Sequence, residues 1–277
     1  MAGLTMSRPG LGRGVVLLVA GLYFVVPIVC AFAFSVGIGS PGQQVGLDAY
    51  TGIGAAEGLA DSLALTLKVA AATVALVLGV LVPALLAVRL AAPRLRTAVQ
   101  AVCLLPLVVP AVALGAGITT LLRWGADRYY GTPLFEGLVA LQDPDFPVIL
   151  VLAFAVMALP LAYSTLDAGL SALDLRVLVE AARSCGSSWP RTLVHVVLPN
   201  LRGALLNAAF LTLALVLGEY AVAALLGYQP FAVWTVVISG SEAQMSVAVS
   251  IVGLLGTWAL LMVIAAAGRT KRLKEAS

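Results

Sequence analysis

Charge is what this chain has least of. Asp, Glu, Lys and Arg make up 10% of its 277 residues, and 61% of the chain is hydrophobic. A soluble domain carries roughly 25% charged residues. With a mean hydropathy of +1.07, the chain has too little polar surface to coat a water-soluble fold, and the solvent that fits is a bilayer. Histidine occurs once, at His195, and the three cysteines, Cys30, Cys103 and Cys185, stand isolated. They give no disulfide framework and no metal-ligand spacing, so metal chemistry has no ligand set in this sequence. A GxxxxGK[ST] phosphate-binding loop is also missing, which excludes ATP hydrolysis by this chain itself. No His, Asp and Ser constellation suggests an enzyme. The alternating ten-residue segments of a membrane β-barrel are absent as well. What remains is long apolar runs, and these predict an all-α integral membrane protein, because a helix satisfies its own backbone without water.

Six spans are expected, at about 14–36, 63–88, 98–122, 147–166, 203–226 and 246–267. Arg8 and Arg13 precede the first, and Ala31 and Ala33 faintly resemble a signal-peptide cleavage site. This run outlasts the roughly 7–15-residue core of a signal peptide, and further spans follow, so it is read as a retained anchor. The third span contains LPLVVPAVALGAG, with Pro106 and Pro110 one turn apart. Each proline removes a backbone donor and bends the helix. With Gly115 and Gly117 they predict a bent, closely packed helix. Two readings stand for the bend: it improves packing, or it lines a path.

The net charge of +3 says less than where the charge lies. Thirteen of the sixteen basic residues fall on one side of the spans: Arg8, Arg13, Arg89, Arg94, Arg96, Arg176, Arg183, Arg191, Arg202, Arg269, Lys271, Arg272 and Lys274. Arg123 and Arg128 fall on the other. Lys68 lies inside the second span, and its long stem lets the ammonium reach the outer interface. An excess of Lys and Arg marks the cytoplasmic side. Both termini and the polar stretch 167–202 are therefore expected in the cytoplasm.

That stretch is the longest polar interruption in the chain, and its core reads DLRVLVEAARSCGSSWPRTLVHVVLP over 174–199. Asp174 is a good N-cap for an amphipathic helix over 175–185, with Leu175, Leu178, Val179 and Ala182 at helical spacing. Gly186 follows where a helix would end in a left-handed residue. Ser187 or Ser188 can cap a second short helix with Trp189 and Pro190 in its first turn, ending before Pro199. The expectation is a hairpin of two short helices at the cytoplasmic face, joined to the fourth and fifth spans.

Glu180-Ala181-Ala182, three residues, Gly186, nine residues, then Val196-Val197-Leu198-Pro199 resembles the EAA loop of ATP-binding-cassette importer permeases, whose pattern is EAA-x3-G-x9-I-x-L-P. Val196 for Ile is the one departure. The resemblance extends over about 60–267, from DSLALTLKVA to LALVLGEYAVAALLG, within a single permease domain spanning 1–277. It is to the type I, binding-protein-dependent inner-membrane component, with a polyamine and iron flavour. What it implies is a multi-pass subunit of a prokaryotic-type cell membrane whose loop docks on a separate ATPase. That ATPase binds the ATP; this chain needs no cofactor. Glu180 would face basic groups of the ATPase or brace the loop, Ala181 and Ala182 would allow close approach, Gly186 the turn, and Leu198-Pro199 the re-entry into the fifth span. The implied partners are the ATPase subunits, a second permease, an extracytoplasmic solute-binding protein and membrane lipid, with no nucleic acid. Without the resemblance, the stretch reads as an amphipathic hairpin on lipid headgroups.

Glu219, in LVLGEYAVA, sits within the fifth span, where an acid costs roughly 2.5–3.5 kcal/mol to insert. One reading has Glu219, Tyr220 and Asn207 facing a translocation path with Pro106 and Pro110, the acid serving a cationic or amide-bearing substrate. The other has Glu219 satisfied by a neighbouring span. An ion-coupled transporter working alone is the alternative from another class; Glu219 would suit it, but the EAA spacing would go unexplained. His195 reads as a packing or interface residue, and Trp189 and Trp258 as anchors. Polyamine is the substrate the resemblance favours; ferric iron and phosphonates remain open.

Overall fold

The computed structural model describes residues 11–39 and 45–274, with side chains over 14–39 and 45–263. Arg8 falls outside the described residues, as do the side chains of Arg13 and of the basic tail from Arg269 to Lys274. Among the described residues every regular element is helical. The chain divides into two compact units, one of Met1–Ala56 with Thr235–Leu255 and one of Glu57–Trp234 with Gly256–Ser277.

The first unit is built on α1, Leu11–Ser35. Its apolar stretch Gly14–Ser35 has a mean hydropathy of 2.8, and none of that stretch's most apolar window is buried in the protein. Such a surface suits lipid rather than water. At its end Ser35 Oγ hydrogen-bonds Tyr50 Oη at 2.7 Å, and elsewhere in the unit Ser246 Oγ donates to Thr235 O at 2.7 Å.

The second unit holds α2 (Leu59–Leu90), α3 (Arg96–Leu104), α4 (Ala111–Tyr129), α5 (Pro133–Ala140), α6 (Val148–Ser171), α7 (Leu175–Ser184), α8 (Trp189–Gly218) and α9 (Ala221–Leu225). Two further helices, α10 (Phe231–Ile238) and α11 (Ala243–Lys274), run through both units. The core is centred on α6, where Leu150, Ala158, Ala162, Leu166 and Leu170 are fully buried and Phe154 is 1% exposed. Lipid gives apolar side chains no reason to associate, so small residues that let helices close up do the organising. Gly169 of α6 is the closest such place: a Cβ there would lie 2.3 Å from Ala204 Cβ of α8.

Among the described residues five helices are long and apolar enough to cross a membrane: Gly14–Ser35, Leu59–Leu90, Val148–Ser171, Trp189–Gly218 and Ala243–Val263. A sixth span exists if Pro93–Val108 and Ala111–Tyr129, bent by 98°, count as one. The expected all-α membrane fold therefore stands, and the third span is corrected from a bent helix to a broken one. α3 stops at Leu104, a 3-10 turn covers Leu105–Val108, and Val109 is extended at φ −91° and ψ 118°. The reason is local: a residue preceding proline is pushed out of the α region, and Val109 precedes Pro110.

The fifth span needs two corrections. No helix end precedes Pro199: the segment from Trp189 runs unbroken to Gly218. It passes the proline by widening into a π turn at Leu193–Val197, where Leu198 N donates to Leu193 O. A local π adjustment in the preceding turn is one way a helix absorbs the donor that proline lacks. The second correction is that the span does not reach Leu226 as one helix. Glu219 has extended backbone (φ −82°, ψ 121°), and the five-residue α9 follows.

Candidate functional site

Two places carry the polar chemistry of the second unit: α7 with its flanks, and the two helix breaks.

Helix α7 forms as its sequence suggests. Asp174 takes the N-cap and its Oδ1 accepts from Val177 N at 3.5 Å. At the other end Gly186 has φ +80°, Gly186 N donates to Arg183 O at 2.9 Å, and Ser187 N donates to Ala182 O at 3.1 Å. That pair of bonds is a Schellman ending, which requires the left-handed residue that glycine supplies at little cost. One face is anchored: Leu175 and Val179 are buried in the same cluster as Val197 and Leu201 of α8. The opposite face is bare, with Arg176, Val177, Glu180, Ala181, Arg183 and Ser184 exposed. The Glu180 carboxylate has no ion-pair partner among the described residues; its backbone carbonyl accepts from Ser184 Oγ at 2.9 Å. Ala182 is half-buried and Gly186 open, with nothing within 4 Å of a would-be Cβ.

The remainder of the motif lies on α8. Val196 and Leu198 are half-buried, Pro199 is exposed, and Val197 between them is fully buried. Ser188 occupies the cap position before Trp189 but makes no side-chain cap bond; its backbone O accepts from Thr192 N at 2.9 Å. His195 is exposed and its Nδ1 sits 3.2 Å from Arg191 O. Trp189 is 45% exposed.

Beside α7 stands a polar knot that sequence reasoning missed. At the end of α2, Arg89 forms a salt bridge with Asp167 of α6. Arg89 also donates to Asp167 O at 2.9 Å and to Ser171 Oγ at 2.6 Å. Arg96 of α3 reaches the other carboxylate oxygen at 3.4 Å. The available signal was an acid closing one span and arginines closing two others on the same side.

At the breaks, the structure gives Glu219 a definite partner. Its Oε1 accepts from Val222 N at 3.0 Å, three residues on, so the carboxylate caps the short α9. A helix N-terminus favours negative charge and has donors to spare, which offsets part of the cost of an acid at that position. Glu219 is half-buried and Tyr220 is 44% exposed. The two broken segments pack together through their far limbs. A Cβ on Gly115 of α4 would lie 2.9 Å from Leu225 Cδ1 of α9, and Thr119 Oγ1 is 3.5 Å from Leu225 O. Pro106 is half-buried in the 3-10 turn and Pro110 is exposed at the bend. Asn207 is exposed on α8 but stands three turns before Glu219, about 18 Å along the axis at 1.5 Å per residue. Lys68 Nζ lies 3.5 Å from Asp145 O, in the loop before α6. Just after α9, Tyr228 donates to Gln142 O at 3.1 Å. Burial first, then the Asp143 carboxylate, push its hydroxyl above the ordinary tyrosine value, so it remains a donor.

A helical fold with spans long enough to cross a bilayer and a capped amphipathic helix in its polar loop is that of an integral membrane protein. Residues 75–269 match the family described as the binding-protein-dependent transport system inner membrane component, and the chain belongs to that family. It is thus the inner-membrane permease of a type I ATP-binding-cassette importer, a multi-pass protein of the cell membrane in a family of non-catalytic permeases whose systems include an ATPase and a binding protein. No curated protein matches the chain.

Proposed function

We propose that this permease subunit forms a solute path and is driven by a separate ATPase that docks on α7. The observation that carries the proposal is how α7 is built. It is short, capped at both ends, fixed by Leu175 and Val179, and bare on the face that holds Glu180 and Ala181. A lever needs that combination of stiffness and an unoccupied surface. Because Val179 shares a buried cluster with Val197 and Leu201, a pull on α7 passes into α8, which continues without a joint to Gly218. Glu180 pairs with basic groups of the ATPase, Ala181 and Ala182 admit close approach, and Gly186 holds the turn, while Val196, Leu198 and Pro199 tie the loop to the span.

The thirteen one-sided basic residues put α7 and both termini in the cytoplasm. ATP is bound by the ATPase, and the assembly includes a second permease, identical or paralogous, and an extracytoplasmic binding protein. Glu219, Tyr220 and the bend at Pro106 and Pro110 line the path, with Asn207 further along it. Polyamine is the substrate we favour, on the resemblance around LGEYAVAALLG and the acid at its centre.

The test is co-purification of the ATPase subunit with the full-length chain. Glu180→Lys places a cation against the ATPase's basic groups, so retention falls while folding of the exposed site is unaffected. Retention of the ATPase at the wild-type level would refute the docking role.

A further inference from the structure

Beside α7 lies a cleft of about 240 Å³ lined by Val88, Arg89, Leu90, Pro93, Arg96, Leu173, Leu175 and Arg176. Its charge does not balance. Three arginines line it, from the end of α2, the start of α3 and the first turn of α7, against two carboxylates nearby, those of Asp167 and of the N-cap Asp174. Asp167 takes Arg89 and Arg96 together. Arg176 is exposed and makes no ion pair among the described residues. Like charges drawn together repel, and an anion with several acceptor oxygens, which guanidinium groups bind through paired hydrogen bonds, relieves that repulsion.

The rest of the lining is apolar. Val88 and Leu175 are buried at 6% and 5% exposure, Leu90 and Leu173 are partly covered, and Pro93 is exposed. A helix long enough to cross the bilayer, α2, ends here, so the cleft stands at headgroup level with a greasy wall beside a cationic one. We infer that this cleft binds a phosphate-bearing ligand, the phosphodiester of an anionic phospholipid or a free phosphate, between the end of α2 and the start of α7. Bound there, the phosphate joins Arg89 and Arg96 to Arg176 and so ties the proposed lever to the bundle. The inference rests on the cleft and not on ATPase docking.

The test uses the full-length chain in its assembled transporter, in bilayer discs of phosphatidylglycerol and phosphatidylcholine, with retained lipid counted by native mass spectrometry. Wild type is expected to keep phosphatidylglycerol over phosphatidylcholine. Arg176→Gln and Arg96→Gln should each cut that preference about fivefold, the equivalent of the ~1 kcal/mol that a basic residue contributes at an anionic membrane surface. Arg123→Gln, remote from the cleft, should leave it unchanged. In a second arm, inorganic phosphate is added to the transporter in phosphatidylcholine alone. If it raises the melting temperature of wild type and not of Arg176→Gln, while phosphatidylglycerol shows no preference, the phosphate is a free anion. The inference is overturned if both arginine variants match wild type in both arms. It is equally overturned if they release the ATPase while lipid retention and phosphate response persist, which would make the cleft a protein contact.

Discussion

Replacing Gly169 by Ala puts one methyl group into a close contact between α6 and α8. The new Cβ would stand 2.3 Å from Ala204 Cβ, 3.4 Å from Leu201 Cδ1 and 3.7 Å from Ala204 Cα. Carbon atoms in contact sit about 3.5–4.0 Å apart, so only the Ala204 methyl is in the way, and it belongs to a backbone that cannot rotate aside. The helices must part by about 1 Å or more, and overpacking of this kind costs ~1–3 kcal/mol. Removing the opposing methyl isolates the cause. Ala204→Gly alone should lose ~1 kcal/mol of helix propensity. The double variant should recover most of the Gly169→Ala loss, because the remaining neighbours lie at 3.4 and 3.7 Å. The assay is thermal unfolding of the purified chain in detergent, read as a double-mutant cycle. A wild-type melting temperature for Gly169→Ala, or strictly additive losses in the cycle, would refute the packing argument.

Two other perturbations bear on the polar groups. Asp167→Ala removes the counter-charge of Arg89, whose side chain is 18% exposed, leaving it Ser171 Oγ and the backbone carbonyl of residue 167. The loss should be ~1–3 kcal/mol, visible as a lower melting temperature, and an unchanged one would mean that the knot contributes nothing. Glu219→Gln keeps a carbonyl oxygen able to accept from Val222 N and removes only the charge. If the acid serves the substrate, uptake falls by about tenfold, ~1.4 kcal/mol, with normal assembly. Unchanged uptake reduces Glu219 to a cap.

Much of this was legible in the chain because it depends on neighbours in sequence. Hydropathy alone located the spans, since length and composition decide what a bilayer accepts. Asp174 and Gly186 announced both ends of α7, because capping involves residues three to five apart and glycine is the residue suited to a left-handed position. The break at Pro110 was half-read. Two prolines signalled a bend, but whether a bend becomes a 98° turn depends on what packs in the angle. The run through Pro199 was missed for a related reason: a proline in sequence looks like an end, and the π turn at Leu193–Val197 that bypasses it leaves no mark in composition. Glu219 was seen as an expensive acid, and its relief by Val222 N appears only once the helix is known to break there. The pairing of Arg89 with Asp167 joins residues from two spans, and hydropathy carries no information on which spans meet.

The central claim, that the bare face of α7 is where the ATPase attaches, is tested most directly by site-specific cross-linking. Cys30, Cys103 and Cys185 would first be replaced, and single cysteines introduced as Ala181→Cys and Val179→Cys. Ala181 is exposed and Val179 is 7% exposed. The account predicts a cross-link to the ATPase subunit from position 181, responsive to nucleotide, and none from position 179. A cross-link from both positions alike, or from neither, would contradict it.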